Sequence, residues 1–232
     1  MLAVLHSVQV GLPQTFAGGA LPPWHSGIVK ATVEGPRHLG PTNLDGDAQA
    51  DLRHHGGLEK AVCVYPLGHY PYWTERLNLP LVPGAFGENF TVAGQDERDV
   101  CIGDVYAVGA ARVQVTQPRS PCWKLARRWD RQKLALWFQE TGYTGWYLRA
   151  LQTGRVEAGQ PLVLEDRPYP AWTVQHVNAL RYGQTRDRGA AEALAACDAL
   201  TESWRERFRL IAAGEESDDT RRLTGHAPSP SA

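Results

Sequence analysis

The stretch "VCIGDVYAVGAARVQVTQPRSPCWKL", Val100 to Leu125, decides how this chain is read. It holds two runs in which apolar and polar residues alternate, "DVYAVG" and "ARVQVTQ", joined by the Gly-containing turn "GAA". Period-two alternation marks a half-buried strand, so the stretch predicts two neighbouring strands. The second run ends in "QPRSPCWKL", where one cysteine lies between Pro121 and Trp123, with Arg119 and Lys124 close by. Pro118 and Pro121 bias their predecessors toward extended backbone and stiffen the loop. Cationic neighbours favour the thiolate, the form of cysteine that attacks and binds metals. Cys122 is therefore a candidate ligand or nucleophile. The competing reading is a core cysteine acting as a small hydrophobe.

Working outward, "LAVLHSVQV", "GIVKATV", "KAVCVY" and "ENFTV" precede this stretch, and "GWYLRAL" and "QPLVLED" follow it. Short period-two or apolar runs with Gly and Pro between them predict a mainly β fold, a barrel or sandwich. Two helical stretches interrupt the pattern. One is "GHYPYWTERL", weakened by its proline. The other, "WKLARRWDRQKLALWFQETG", places Leu125, Trp129, Leu134, Leu136, Trp137 and Phe138 on one mostly helical segment that Gly142 helps to end.

The composition changes after "EDRPYPAW". Three helices are expected around residues 173–182, 187–197 and 201–213, with Thr173 and Thr201 as N-caps and Gly183 and Gly214 as stops. Such a module is too short to bury a large core alone, so it should dock on the barrel. From Glu215 the chain is polar and rich in Pro and Ser, which predicts disorder. The expected division is a β domain over 1–168, a three-helix domain over 169–214 and a tail over 215–232.

The net charge is -1, which argues against nucleic-acid binding by bulk electrostatics. No apolar run of membrane-spanning length is present, and the first basic residue is Lys30, so neither a span nor a signal is expected. The expected address is the cytoplasm. Cys63, Cys101, Cys122 and Cys197 are scattered, with no C-x-x-C, and are expected as free thiols rather than a zinc site. Eight tryptophans are a high count for this length and hint at a binding surface. Nucleotide-loop, zinc-protease and nucleophile-elbow motifs are absent.

Two further clusters carry candidate chemistry. In "RHHGG", Gly56 and Gly57 let the backbone turn toward an anion, Arg53 and Lys60 add charge, and His55 can donate to an oxygen or act as an acid. The plain alternative is a polar surface turn. In "GAFGENF", glycines beside Glu88 and Asn89 permit close approach to a ligand, or form a bulge before a strand.

Taken together, "DGDAQADLRHHGGLEKAVCVYP", "HYPYW", "GAFGENF" and the Val100–Leu125 stretch resemble the MOSC-domain proteins, named after the molybdenum-cofactor sulfurase C-terminal domain. The order and spacing match over roughly residues 25–165, and the three-helix module resembles that of the stand-alone bacterial YiiM-like branch. The resemblance implies a MOSC-type β-barrel that binds molybdopterin-type molybdenum cofactor. It implies Cys122 as the sulfur ligand to molybdenum, with Arg119 and Ser120 belonging to the same motif. It maps "HGG" to His55, Gly56 and Gly57 and "GEN" to Gly87, Glu88 and Asn89. Arg53, Lys60 and Arg119 would bind the cofactor phosphate, and His55 or Asn89 would position a substrate oxygen.

The implied activity is reduction of N-hydroxylated small molecules, hydroxylaminopurine bases and hydroxylamines. With no flavin or iron–sulfur motif, electrons must come from a separate donor reductase. A homodimer is compatible with this reading. The alternatives are a non-catalytic cofactor carrier and a cysteine hydrolase using Cys122 and His55.

Overall fold

The computed structural model describes residues 3–17, 22–215 and 218–225. The first half of the chain forms β1 (Val4–Val10), β2 (Gln14–Phe16), β3 (Trp24–Ser26), β4 (Ala31–Val33), β5 (Arg37–Leu39), α1 (Leu52–His55), β6 (Val62–Pro66), α2 (Tyr70–Leu77) and β7 (Phe90–Ala93). The hairpin β8 (Val105–Val108) and β9 (Ala111–Pro118) follows. Next come α3 (Trp123–Trp129), α4 (Leu134–Thr141), β10 (Trp146–Gln152), β11 (Gly154–Val156) and β12 (Val163–Asp166). The chain then turns helical in α5 (Val174–Arg181), α6 (Arg188–Ala195), α7 (Glu202–Ala213) and α8 (Thr220–Thr224).

Eight strands build one mixed sheet in the order β12-β8-β9-β10-β6-β7-β1-β4, curled into a half-barrel with helices around it. Backbone bonds from Leu5 to Gln160 and from Leu162 to Ala3 draw the start of β1 toward the segment entering β12. β6 and β7 are parallel, which requires a crossover between them. That crossover carries α2 and the "GAFGENF" loop to the sheet end where β9 delivers Cys122. β6 is buried along its whole length, so both its faces are covered and its sequence is apolar throughout rather than alternating.

One apolar core lies inside the sheet and continues without a break into the helices, through Val174, Val177, Leu180, Leu194, Trp204 and Phe208. The helical region is therefore docked as expected. Val174 N donates to Val100 O and Ile102 N to Trp172 O, while Asp104 accepts from Arg167 at 2.9 and 2.7 Å. Thr173 caps α5 by accepting from His176 N at 3.1 Å. Thr201 precedes α7 but makes no side-chain cap; its hydroxyl donates to Gln117 Oε1 at 2.8 Å.

A second core is aromatic. Trp73 stacks on Phe138 with centroids 4.3 Å apart and donates to Tyr65 Oη at 2.6 Å, with Phe86, Leu125 and Leu134 around them. Tryptophans thus serve mainly in packing, and none of the eight lines the cavity that Cys122 reaches, contrary to the binding-surface hint.

Three further differences from the sequence reading have physical causes. "GIVKATV" is strand only at Ala31–Val33. The helical stretch after Cys122 breaks at Asp130, whose left-handed φ of 50° ends α3 and lets α4 turn Leu134, Ala135 and Phe138 into the aromatic core. Residues 218–225, within the stretch expected to be disordered, include α8, because Asp219 finds three arginines that local composition does not reveal.

Candidate functional site

At the end of the sheet lies a cleft whose empty space, open solvent included, is about 540 Å³. Six parts of the chain meet there: residues 26–30, residues 49–55 containing α1, Lys60 and Cys63 at the start of β6, the turn at 87–89, the stretch from Arg119 to Lys124 that leads from β9 into α3, and Tyr147 of β10. Cys122 lines the cavity and is half-buried, whereas Cys63, Cys101 and Cys197 are buried. Of those three only Cys63 also reaches the cavity, and burial pushes its thiol up, so it stays protonated.

Cys122 is placed by the two proline-stiffened ends of its loop. Arg119 N donates to Gly145 O at 2.9 Å, which carries the β9–β10 pairing past Pro118. The Arg119 side chain, 7% exposed, donates to Phe86 O through Nη2 at 2.5 Å and ties this loop to the "GAFGENF" loop. Cys122 then precedes the first residue of α3 with extended backbone, and Leu125 N donates to its carbonyl at 3.0 Å.

His55 ends α1 and brings Nε2 to 3.8 Å from Cys122 Sγ. Burial and the charges of Lys124, Arg119 and Lys60, against Asp51, lower its pKa to about 3. The imidazole is therefore neutral near pH 7 and is not the acid that the sequence suggested; it offers one N–H and one lone pair. His54, its neighbour, points away to Asp51 at 2.9 Å. Burial would raise the Asp51 carboxyl, but its bonds from His54 and the nearby histidines hold it low.

Four cations line the cavity. Lys30 is paired with buried Asp47. Lys60, Arg119 and Lys124 complete the set, and Lys60 Nζ donates to His54 O at 2.8 Å. Burial lowers the Lys60 pKa, opposed by Asp51 and Glu59. Arg119 Nη1 is buried without a hydrogen-bond partner in the protein. An unpartnered guanidinium nitrogen among cations attracts an anion.

The remaining expectations divide. Asn89 lines the cavity, yet its amide is engaged at both ends: Oδ1 accepts from Cys63 N at 3.1 Å, and Nδ2 donates to Gln9 O at 3.2 Å and Asp47 Oδ2 at 2.9 Å. It holds β6, β1 and the Asp47 turn together and has no N–H left for a substrate. Glu88 is fully buried away from the cavity and accepts from Gly84 N at 2.7 Å, Phe86 N at 3.1 Å, Thr91 Oγ1 at 3.1 Å and the Tyr70 hydroxyl. It shapes the loop rather than meeting a ligand. Arg53 is exposed on α1, and Gly56, Gly57 and Ser120 are also outside the cavity lining.

Comparison with known proteins identifies the family. The MOSC domain model matches residues 51–163, and the model for the YiiM-like 3-alpha helix domain matches residues 172–210. YflK of Bacillus subtilis is 46% identical over 204 residues, covering 87% of this chain and 91% of that protein. The chain belongs to the YiiM-like branch of the MOSC-domain family. The crystal structure of YiiM from Geobacillus stearothermophilus superposes with a TM-score of 0.76 at 37% identity, over 90% of this chain and 99% of that one. A protein of Gibberella moniliformis named "Reductase" is 38% identical over 158 residues, 66% of this chain but only 28% of that protein.

The MOSC family name implies a molybdenum cofactor, and the residues present fit one. A soft sulfur, Cys122, faces a cavity lined by Lys30, Lys60, Arg119 and Lys124, which suits a phosphate-bearing chelate, and the unpartnered Gln49 Oε1 adds a neutral acceptor. Gly87 has a φ of +81°, and a Cβ there would come within 2.7 Å of Ile28, so the wall accepts only glycine at this point. Among the described residues no group of three or more His, Cys, Asp or Glu could hold a metal alone, so a metal bound by Cys122 must bring other donors with it. Sequence reading missed Lys30, Gln49 and Tyr147 in this MOSC cavity; they lie far from Cys122 along the chain, and only the fold brings them together.

Proposed function

We propose that this chain is a molybdenum-cofactor-dependent reductase of N-hydroxylated compounds, hydroxylaminopurine-type bases and hydroxylamines, acting in the cytoplasm. The observation that carries the reading is a half-buried thiol, Cys122, in a cavity lined by four cations, one of which, Arg119, keeps a buried Nη1 without a partner; Gln49 Oε1 of the same lining is the other such atom. The bound cofactor would supply the two-electron redox chemistry that converts N–OH to N–H.

The chain's own residues do the rest. Cys122 offers the soft donor. Arg119, Lys60 and Lys124 bind the phosphate, with the planar guanidinium as the orienting group. Neutral His55, beside Cys122, orients a hydroxyl through one N–H or one lone pair without adding charge. Tyr147, whose hydroxyl burial keeps protonated, bonds to Cys63 in the same wall and holds that thiol in place. The two electrons come from a separate reductase. The fungal relative named "Reductase", of which the match covers 28%, supports a division of labour in which this region is one part of a longer electron path.

The test is elemental analysis of protein from cells that make molybdopterin, paired with an anaerobic assay of hydroxylaminopurine consumption with a strong reductant. Molybdenum together with turnover, both lost in Cys122→Ala, is the expected result. Molybdenum without turnover supports the cofactor-carrier reading instead. Turnover that persists in Cys122→Ala overturns the assignment. The Cys122–His55 approach also suits a cysteine hydrolase, but Asp51, the carboxyl nearest α1, pairs with His54 rather than orienting His55.

A further inference from the structure

We propose that residues 218–225 are a positioning strap for Cys122, with Arg222 as its working residue. The proposal rests on the reading of Cys122 as the sulfur donor of the site. The strap lies outside both stretches matched by the family models, 51–163 and 172–210. It nevertheless holds both chain neighbours of Cys122. On one side, Arg222 Nη1 donates to Pro121 O at 2.6 Å. On the other, Gly225 lies against the Trp123 ring, close enough that an added Cβ would come within 3.0 Å of it, at a φ of +80°.

The strap is itself fixed from two directions. Arg222 Nη2 donates to Gln139 Oε1 of α4 at 2.7 Å and to Asp219 at 2.8 Å. Asp219 also takes two bonds from Arg181 of α5, at 2.9 and 3.0 Å, and pairs with Arg207 of α7 at 3.5 Å. The guanidinium groups of Arg181 and Arg222 both lie over the Tyr182 ring, at 5.3 and 5.5 Å. The side chains of Arg181, Asp219 and Arg222 are 6%, 15% and 13% exposed, so this network is shielded from solvent. A rigid planar fork that binds Pro121 O and Gln139 at once fixes the carbonyl preceding Cys122 against α4. The 3.8 Å approach of Cys122 to His55 thus depends on a helix distant in sequence from the cavity.

The test reads the thiol directly. Alkylation of the full-length protein by iodoacetamide is followed at each cysteine by peptide mass spectrometry, with buried Cys63, Cys101 and Cys197 as internal references. In Arg222→Ala the rate at Cys122, read on the alkaline plateau of its pH profile where loss of the Arg222 charge no longer sets the reactive fraction, should rise about threefold or more while the other three stay unchanged, because the freed loop exposes the sulfur. Arg222→Lys, which keeps one donor for Pro121, should restore most of the difference. Arg221→Ala, exposed on the same helix, should match the unaltered protein. A Cys122 rate equal to or below that of the unaltered protein overturns the proposal, as does a parallel rise at all four cysteines, which marks general loosening. Should Arg222→Ala fail to fold, Gly225→Ala carries the same expectation through Trp123. The measurement needs no cofactor, so failure of the reductase reading would leave this result legible and separate.

Discussion

Two walls of the cavity carry equally polar sequences and do opposite things. The "RSPCWK" wall lines the cavity with a half-buried thiol, a buried guanidinium that keeps one nitrogen without a partner, and the buried Lys124. The "GENF" wall turns its polar groups inward, where Glu88 accepts four hydrogen bonds and the Asn89 amide is engaged at both ends. Residue type does not separate them; unused hydrogen-bonding capacity does. Along this cavity a polar group with all partners satisfied is scaffold, whereas Arg119 Nη1 and Gln49 Oε1 keep capacity for a ligand.

Substitutions on the two walls should therefore separate function from stability. The largest effect is expected for Cys122→Ser, where molybdenum occupancy should fall at least about tenfold, since serine is a harder and far less acidic donor. The melting temperature should hold, because Cys122 occupies the N-cap of α3 and serine is a favoured N-cap. Unchanged occupancy by elemental analysis would break the contrast at its strongest point. Glu88→Ala should instead cost about 3 kcal/mol or more in urea unfolding, by leaving buried donors without acceptors. A protein of normal stability but lost cofactor would move Glu88 to the functional wall.

A smaller effect concerns acid. Burial alone would raise the Asp219 carboxyl, but the bond from Arg222 and the charges of Arg181, Arg222 and Arg207 hold it below its ordinary 3.8. Its stabilising contribution is thus complete above pH 3.8 and is lost as pH falls through the lower folded value. Backbone NMR shifts of residues 218–225 should move toward coil values in that window, and shifts that stay constant below it would show that the arginines do not hold the strap. The smallest effect is expected for Arg53→Ala, within about 0.5 kcal/mol in stability and without change in molybdenum content, because this exposed side chain lies outside the cavity lining.

Much of the fold was legible in the sequence because its signals are local. Alternation in "ARVQVTQ" marked β9, the Thr173 cap marked α5, and Gly214 closed α7 in left-handed backbone. The site was legible only in part. Cys122, Arg119 and Lys60 could be named because a thiol and cations beside prolines and glycines already carry chemistry. Arg53 and Glu88 were named by the same logic, but one projects to solvent and the other into the scaffold. The neutrality of His55 had no local signal, since it comes from burial among cations on other elements.

The sequence by itself determined most of the long elements and the family, and singled out the sulfur at position 122, because periodicity, capping and motif order are properties of neighbouring residues. Tertiary structure alone decided which polar groups are occupied and which remain free, and it turned part of an apparently formless tail into a support for Cys122. Hydrogen-bond saturation and desolvation depend on everything that surrounds an atom, and those surroundings are assembled from segments far apart along the chain.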